Sequence, residues 1–294
     1  MNNKLIVDNI NFSYFKKNIL KDISFTCENG ITSLLGHNGA GKTTLMKILI
    51  GSNKPSTGKV LLNDTNLLGY SNKKDIIGYL PQKFDIYNNI TGYDFLSYVC
   101  DIKNMDTNEK KKQIEKAVEQ FKLDNVIYKN IGKYSGGYKR RLGIAQSIIG
   151  NPNLVIIDEP TVGLDPEQRL EFRHYLSEIG KDRIVLISTH ILEDVELYTN
   201  KILIISNSSI LFNGTTSEAI NTAKNKIYTA NINVDELELI TKKVKIIEEK
   251  RLDNNKIKIK FLLCDDNAIN NSQLEKEVSL ENAFVFFQNL KNSL

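Results

Sequence analysis

The sequence predicts an α/β fold built on a parallel sheet, with a helical block inserted into it and a small α+β appendage at its carboxyl end. Three observations lead there. Short apolar runs alternate with amphipathic stretches over most of the first 215 residues. Residues 84–150 break that rhythm and read as mostly helical. Beyond Gly214 the composition shifts toward Asn, Lys and Glu. Strands alternating with helices are the pattern of an α/β core containing parallel sheet.

Taken in order, Leu5 to Ile10, Ile23 to Cys27 and Ile31 to Leu35 read as strands, with Asn29-Gly30 as the turn between the last two. Lys42 to Ile50 reads as a helix that Gly51 ends. Lys59 to Leu62 and Ile76 to Leu80 are strand candidates. In the helical block, Ile114, Ala117, Val118 and Phe121 fall on one stripe, and Lys110, Lys111 and Lys112 read as a solvated face. Leu154 to Ile157, Ile184 to Ser188 and Ile202 to Ser206 are continuous apolar runs, the mark of buried strands. In the appendage, Ile257, Ile259, Phe261 and Leu263 alternate with lysines as a half-buried strand. Asp253-Asn254-Asn255 would turn it back on Val244 to Leu252. Ser272 and Glu275 have the spacing of a helix capping box, and Leu280, Ala283, Phe284, Phe287 and Leu290 make a helical apolar stripe. This divides the chain into a 1–225 domain, with its helical subdomain at about 84–150, and a 226–294 accessory region.

Composition narrows the function. Acids and bases nearly balance at a formal net charge of +4, which argues against a nucleic-acid binder. Cys27, Cys100 and Cys264 are widely spaced, make no metal pattern and suit a reducing compartment. Met1 to Val7 is too polar for a signal peptide, and no apolar run approaches the roughly 20 residues that span a bilayer. The expectation is a chain that does not cross a membrane by itself.

Gly36 to Thr43 fits G-x-x-x-x-G-K-[ST], after a strand and opening a helix, the context the motif requires. Glycines let the backbone curl so that its N–H groups face phosphate oxygens, and the helix N-terminus adds a favourable dipole. Gly36, His37, Asn38, Gly39, Ala40, Gly41, Lys42, Thr43 and Thr44 are therefore the candidate nucleotide-binding stretch. Lys42 would reach the β- and γ-phosphates, the Thr43 hydroxyl would ligate Mg²⁺, and the His37 side chain reads as a tolerated loop residue. The buried strand at 154–157 ends in Asp158 and Glu159. Alone they could be two solvated acids. Beside a phosphate loop, Asp158 reads as the Mg²⁺ acid and Glu159 as the group that polarises water.

Tyr134-Ser135-Gly136-Gly137-Tyr138 then resembles the ABC signature, usually written L-S-G-G-Q. Gln82 looks like the Q-loop glutamine, Gly163-Leu164-Asp165 like the D-loop, His190 like the switch histidine and Tyr14 like the aromatic A-loop position. These ordered motifs over about residues 4–214 identify the chain as a member of the ABC ATPase family, with a P-loop NTPase core of ABC type. Tyr134 and Tyr138 depart from the usual Leu and Gln. The basic tail Lys139-Arg140-Arg141 and Leu280-Glu281-Asn282-Ala283-Phe284 resemble bacterial drug, antibiotic-peptide and polysaccharide export ATPases.

The resemblance implies that ATP and Mg²⁺ are bound and that Glu159, His190 and Gln82 serve hydrolysis. Gln82 would also meet Mg²⁺ with Thr43 and Asp158. Ser135, Gly136 and Gly137 would meet ATP held by a second ATPase subunit in a head-to-tail dimer, where Asp165 touches the partner's site. Tyr14 would stack on adenine, with packing among Phe12, Tyr14 and Phe15 as the alternative. Ser-Gly-Gly by itself also reads as a helix cap, and Gln82 as a surface glutamine after Pro81. The implied partner is a separate transmembrane permease at the cytoplasmic face of the membrane, docked between Phe84 and Tyr134. Tyr87, Ile90, Tyr93, Phe95 and Leu96 would supply its groove. The alternatives are a soluble ABC ATPase acting on ribosomes or DNA, or a regulatory nucleotide-binding subunit. The first usually brings a second ATPase domain or a long coiled coil, and intact Lys42, Asp158, Glu159 and His190 argue against the second.

Overall fold

The computed structural model describes residues 2–161, 163–252, 255–263, 269 and 272–290. The chain opens with β1 (Lys4–Tyr14), β2 (Lys17–Glu28) and β3 (Gly30–Leu35), followed by α1 (Lys42–Leu49). Next come β4 (Thr57–Leu62), β5 (Thr65–Asn66), the short α2 (Lys73–Ile76) and β6 (Ile77–Leu80). The helical block holds α3 (Gly92–Ile102), α4 (Thr107–Gln120) and α5 (Gly136–Ile148). The chain returns to the sheet with β7 (Leu154–Asp158), α6 (Pro166–Gly180), β8 (Ile184–Thr189), α7 (Leu192–Tyr198), β9 (Lys201–Ser206) and β10 (Ser209–Gly214). It finishes with α8 (Thr216–Lys224), β11 (Ile227–Asn233), α9 (Leu237–Thr241), β12 (Val244–Arg251), β13 (Lys256–Leu263), β14 (Gln273–Leu274) and α10 (Leu280–Asn289).

The central sheet runs β10-β9-β3-β8-β7-β6. Its strands are parallel except β10, which folds back on β9. β7 shows why the apolar runs are continuous. Val155 and Ile157 face the helical block and α6, packing with Leu142, Ile144 and Leu176. Leu154 and Ile156 face α1 and the antiparallel β2-β1-β4-β5 sheet, with Leu5, Ile23, Leu45 and Met46. A strand covered on both faces can carry no polar alternation.

Register aligns the strand ends. Leu35 lies beside Thr189, and Asp158 beside Ser188. The carboxyl ends of β3, β8 and β7 therefore emerge side by side, the edge of an open α/β sheet where ligands bind.

The appendage is less detached than its composition suggests. β12-β13-β11-β14 form their own sheet, but α10 packs with α8 against α7 and the central sheet. Leu280, Ala283, Phe286 and Phe287 bury Leu35, Ile202 and Ile204. Several sequence expectations change here. Ser272 does not open a helix: Gln273–Leu274 pairs with β11, and Ser279 caps α10 by accepting from Asn282 N. Leu290 is exposed, its place in the stripe taken by Phe286. Lys110 is not simply solvated, since it pairs with Asp101 at 2.5 Å and reaches Ser97. β12 and β13 do pair as a hairpin, while Asp253 and Asn254 of the expected turn lie outside the described residues, as does Cys264. In the expected groove, Leu96 is fully buried in the block's own core, Ile90, Tyr93 and Phe95 are half-buried, and Tyr87 is exposed. Tyr93 stacks on Tyr128 with centroids 5.4 Å apart, beside a cavity of about 330 Å³ that Ile114, Val118 and Ile127 also line.

Candidate active site

The phosphate loop leaves β3 and enters α1 through two glycines that no other residue could replace without strain. A side chain on Gly36 would stand 2.6 Å from the Ile205 carbonyl oxygen of β9. Gly41 has φ +106°, and a β carbon there would meet Leu20 at 2.8 Å. His37, Asn38 and Gly39 are exposed, Ala40 is buried and its N–H donates to the His37 carbonyl at 3.2 Å. Lys42 is buried. Its Nζ donates to the carbonyls of Gly36 (2.6 Å) and His37 (3.2 Å), and lies 3.5 Å from Glu159 Oε1. Burial lowers the Lys42 pKa from its usual range, while the charges of Glu159 and Asp158 work against that shift. Thr43 and Thr44 sit half-buried in the first turn of α1.

Asp158 ends β7 and Glu159 follows in the left-handed region at φ +49°. The Glu159 N–H donates to Ser188 Oγ (3.0 Å) and to the Ser188 carbonyl (3.2 Å). Ser188 Oγ also donates to Asp158 Oδ1. Glu159 Oε2 lies 2.7 Å from His190 Nδ1, so an ionised Glu159 places a proton on that nitrogen. One carboxylate, 5 % exposed, thus bridges Lys42 and His190.

Asp158 Oδ2 is buried and has no hydrogen-bond partner. A buried carboxylate oxygen without a donor is costly unless a cation or water meets it. No group of three or more His, Cys, Asp or Glu among the described residues could cage a metal. A single carboxylate oxygen is a donor that would suit Mg²⁺, which keeps waters and takes one or two protein oxygens beside phosphate.

The remaining candidates are not all drawn to this point. Gln82 is exposed, and its carbonyl accepts from Arg140 Nη1 at 3.4 Å. Ser135 caps α5, with Oγ accepting from Tyr138 N at 3.4 Å. Ser135 and Gly136 are exposed, Gly137 is buried, and a β carbon on Gly136 would meet nothing within 4 Å. Tyr134 is buried and its hydroxyl donates to the Val126 carbonyl at 2.6 Å, so it serves the block's core in the usual Leu position. Asp165 is exposed and caps α6, accepting from Gln168 N at 2.8 Å. Tyr14 is 45 % exposed, edge-on to Phe12 at 4.8 Å, with its hydroxyl accepting from Asn53 at 2.9 Å. Phe15 is fully exposed, so it is not part of that packing.

Sequence reasoning gave no task to Ser188, which fixes both acids, or to Asp194. Buried Asp194 accepts from Thr161 Oγ1 (2.5 Å) and Arg173 (2.8 Å), tying the segment after Glu159 to the helix after His190. An acid on a short helix gives no sequence signal of such a role; a serine two residues before His190 gives a faint one.

Residues 20–162 match the model of the ABC transporter family. The chain is 34 % identical over 230 residues to the uncharacterized ABC transporter ATP-binding protein YxlF of Bacillus subtilis, covering 78 % of this chain and 76 % of that one. It is 31 % identical over 229 residues to the zinc uptake system ATP-binding protein ZurA of Listeria innocua, covering 74 % of this chain and 88 % of that one. A solved ATP-binding subunit of an ABC transporter superimposes with a TM-score of 0.67 at 27 % identity, over 74 % of this chain and 92 % of that one. With such likeness across three quarters of its length, and the family match spanning the phosphate loop, the signature and the acid pair, the chain belongs to the ABC transporter family as an ATPase subunit with the P-loop α/β fold.

Proposed function

We propose that this chain hydrolyses ATP at a site completed by a second ATPase subunit, and so drives a separate membrane permease as a peripheral subunit at the cytoplasmic face of the membrane. The observation that carries the reading is the division of the site. Lys42, Glu159 and His190 are joined within the chain, whereas Ser135 and Gly136 stand exposed with no hydrogen bond to that group. The open space at Gly136 supports a close approach from outside the chain.

In this reading the loop from Gly36 to Thr44 cradles the phosphates, and Lys42 exchanges a carbonyl or carboxylate for phosphate oxygens. Glu159 takes the proton of the attacking water, and His190 holds its carboxylate in place. Mg²⁺, held by Asp158 Oδ2, Thr43 and Gln82, would neutralise developing phosphate charge. Tyr14 stacks on adenine through its exposed face. Ser135, Gly136, Gly137 and Asp165 serve the partner's ATP. Residues 1–225 are read as the ATPase unit and 226–294 as accessory, supported by the separate sheet that the latter forms.

No described helix is long and apolar enough to cross a membrane; the spanning part is proposed to be a separate permease. Tyr93 and Tyr128 at the helical-block cavity, with exposed Tyr87 elsewhere in the block, suit an amphipathic helix of that partner. Export is proposed from the basic tail after the signature; ZurA is named for zinc uptake, so vesicle transport assays of both directions decide this point. The test of the shared site is Glu159→Gln, which should dimerise with ATP in light scattering. Adding Ser135→Arg should abolish that dimer, and equal dimerisation by the double variant overturns the proposal.

A further inference from the structure

Arg140 lies in the basic run of α5, and its side chain behaves unlike that of its neighbour. Arg141 lies over the Tyr138 ring at 4.3 Å and pairs with Glu171 at 3.7 Å. Arg140 instead turns inward. Its Nε donates to the Pro160 carbonyl at 2.6 Å, its Nη2 to the Glu159 carbonyl and its Nη1 to the Gln82 carbonyl at 3.4 Å. One planar fork therefore holds three backbone oxygens from two loops, a pattern that a lysine's single nitrogen cannot reproduce.

The held residue has a backbone that favours glycine. Glu159 sits at φ +49°, where a β carbon is disfavoured. Its N–H is fixed by Ser188 and its carbonyl by Arg140, so both adjoining peptides are fixed. The carboxylate's path between Lys42 and His190 starts from that backbone. A guanidinium is a cation at neutral pH, so its bonds are the stronger charge-assisted kind.

We propose that Arg140 is a positioning residue for hydrolysis, a strut from the signature helix that sets the Glu159 backbone and ties the acid's aim to the orientation of α5. This rests on Glu159 being the hydrolytic residue. It predicts that a displacement of the helical block reaches Glu159 through one side chain, without passing through the phosphate loop.

The test uses the full chain with Arg140→Ala, Arg140→Gln and Arg140→Lys, reading phosphate release, ATP affinity and thermal melting. Ala and Gln should lower kcat about 10- to 100-fold, the scale of lost charge-assisted bonds, with ATP affinity changed by less than about threefold. Lys should recover part of kcat. Added guanidinium at millimolar levels should raise the turnover of Arg140→Ala several-fold and leave the unaltered chain unchanged. Should the Ala variant not fold, Gln and Lys carry the same comparison. Turnover of the Ala or Gln variant within about twofold of the unaltered chain overturns the proposal. So does a fall in kcat that tracks ATP affinity and melting with no response to guanidinium, which is the signature of mere packing. Glu159→Gln run alongside separates the two claims. If it is inert while Arg140→Ala is fully active, the strut alone fails; if it is active, the hydrolytic assignment fails and the strut with it.

Discussion

Replacing Glu159 by Gln keeps the shape of the side chain and removes its charge and its basicity. The carboxylate is 5 % exposed, 3.5 Å from Lys42 Nζ and 2.7 Å from His190 Nδ1. At 3.5 Å and an effective dielectric of about 20, the Coulomb attraction to Lys42 has a ceiling of roughly 5 kcal/mol. The net loss of stability is far smaller, on the order of 1–3 kcal/mol, because Lys42 keeps the Gly36 and His37 carbonyls. An amide cannot accept the water's proton, so kcat should fall by about 10²–10⁴. The loop proposed to meet phosphate is unchanged, and ATP affinity should stay within about threefold or improve as a negative charge leaves the site. Phosphate release at saturating ATP and calorimetric titration with ATP read the two effects apart, with Lys42→Ala as the variant that loses binding itself. Turnover within about threefold of the unaltered chain would refute Glu159 as the base. A loss of ATP affinity equal to that of Lys42→Ala would refute the separation of binding from hydrolysis.

Two further outcomes test the fold around the site. Phe287 is 3 % exposed, with Phe212 at 4.8 Å and Phe286 at 5.1 Å, so Phe287→Ala should cost about 3–5 kcal/mol in urea unfolding; a loss below about 1 kcal/mol would mean that α10 does not seal the central sheet in solution. For pH, hydrogen bonding from Asn282 and the Lys260 charge hold the Glu248 carboxyl below its ordinary 4.5. Its stabilising contribution is therefore present above pH 4.5 and is lost as pH falls through the lowered folded value. Glu248→Gln should flatten the fall of melting temperature on the acid side of pH 4.5, and an identical slope in both proteins would contradict the linkage.

The features legible in the sequence are local in origin. The strand at 154–157 declares itself because both faces of β7 are covered, leaving no polar alternation to obscure it. The stripe Ile114, Ala117 and Phe121 shows because one helix face carries all three into the core. The Gly36–Thr43 pattern stands out because its glycines answer to their own φ angles and to one close backbone approach. Where two local readings competed, locality was not enough. Ser272 and Glu275 have the spacing of a cap, but β11 offers a strand partner to Gln273 and Leu274, and pairing won. Phe15 reads as a packing aromatic beside Phe12 and Tyr14, yet it stands at the hairpin between β1 and β2 with nothing to cover it.

The sequence by itself therefore determined the α/β core and the family, since each strand, the glycine loop and the acid pair is written in residues that lie within a turn or a strand of one another and their order along the chain does the rest. Only the tertiary structure decided what those groups touch. Sheet order puts β8 between β3 and β7, and that adjacency brings Lys42, Ser188 and His190 onto Glu159 from distant parts of the chain. It decided that Asp158 keeps one oxygen free, that Arg140 turns from a surface tail into a clamp on the Glu159 carbonyl, and that α10 is held against the central sheet. Periodicity and turn chemistry report the forces between near neighbours in sequence; hydrogen bonds that close only when strands take their places in the sheet leave no such trace.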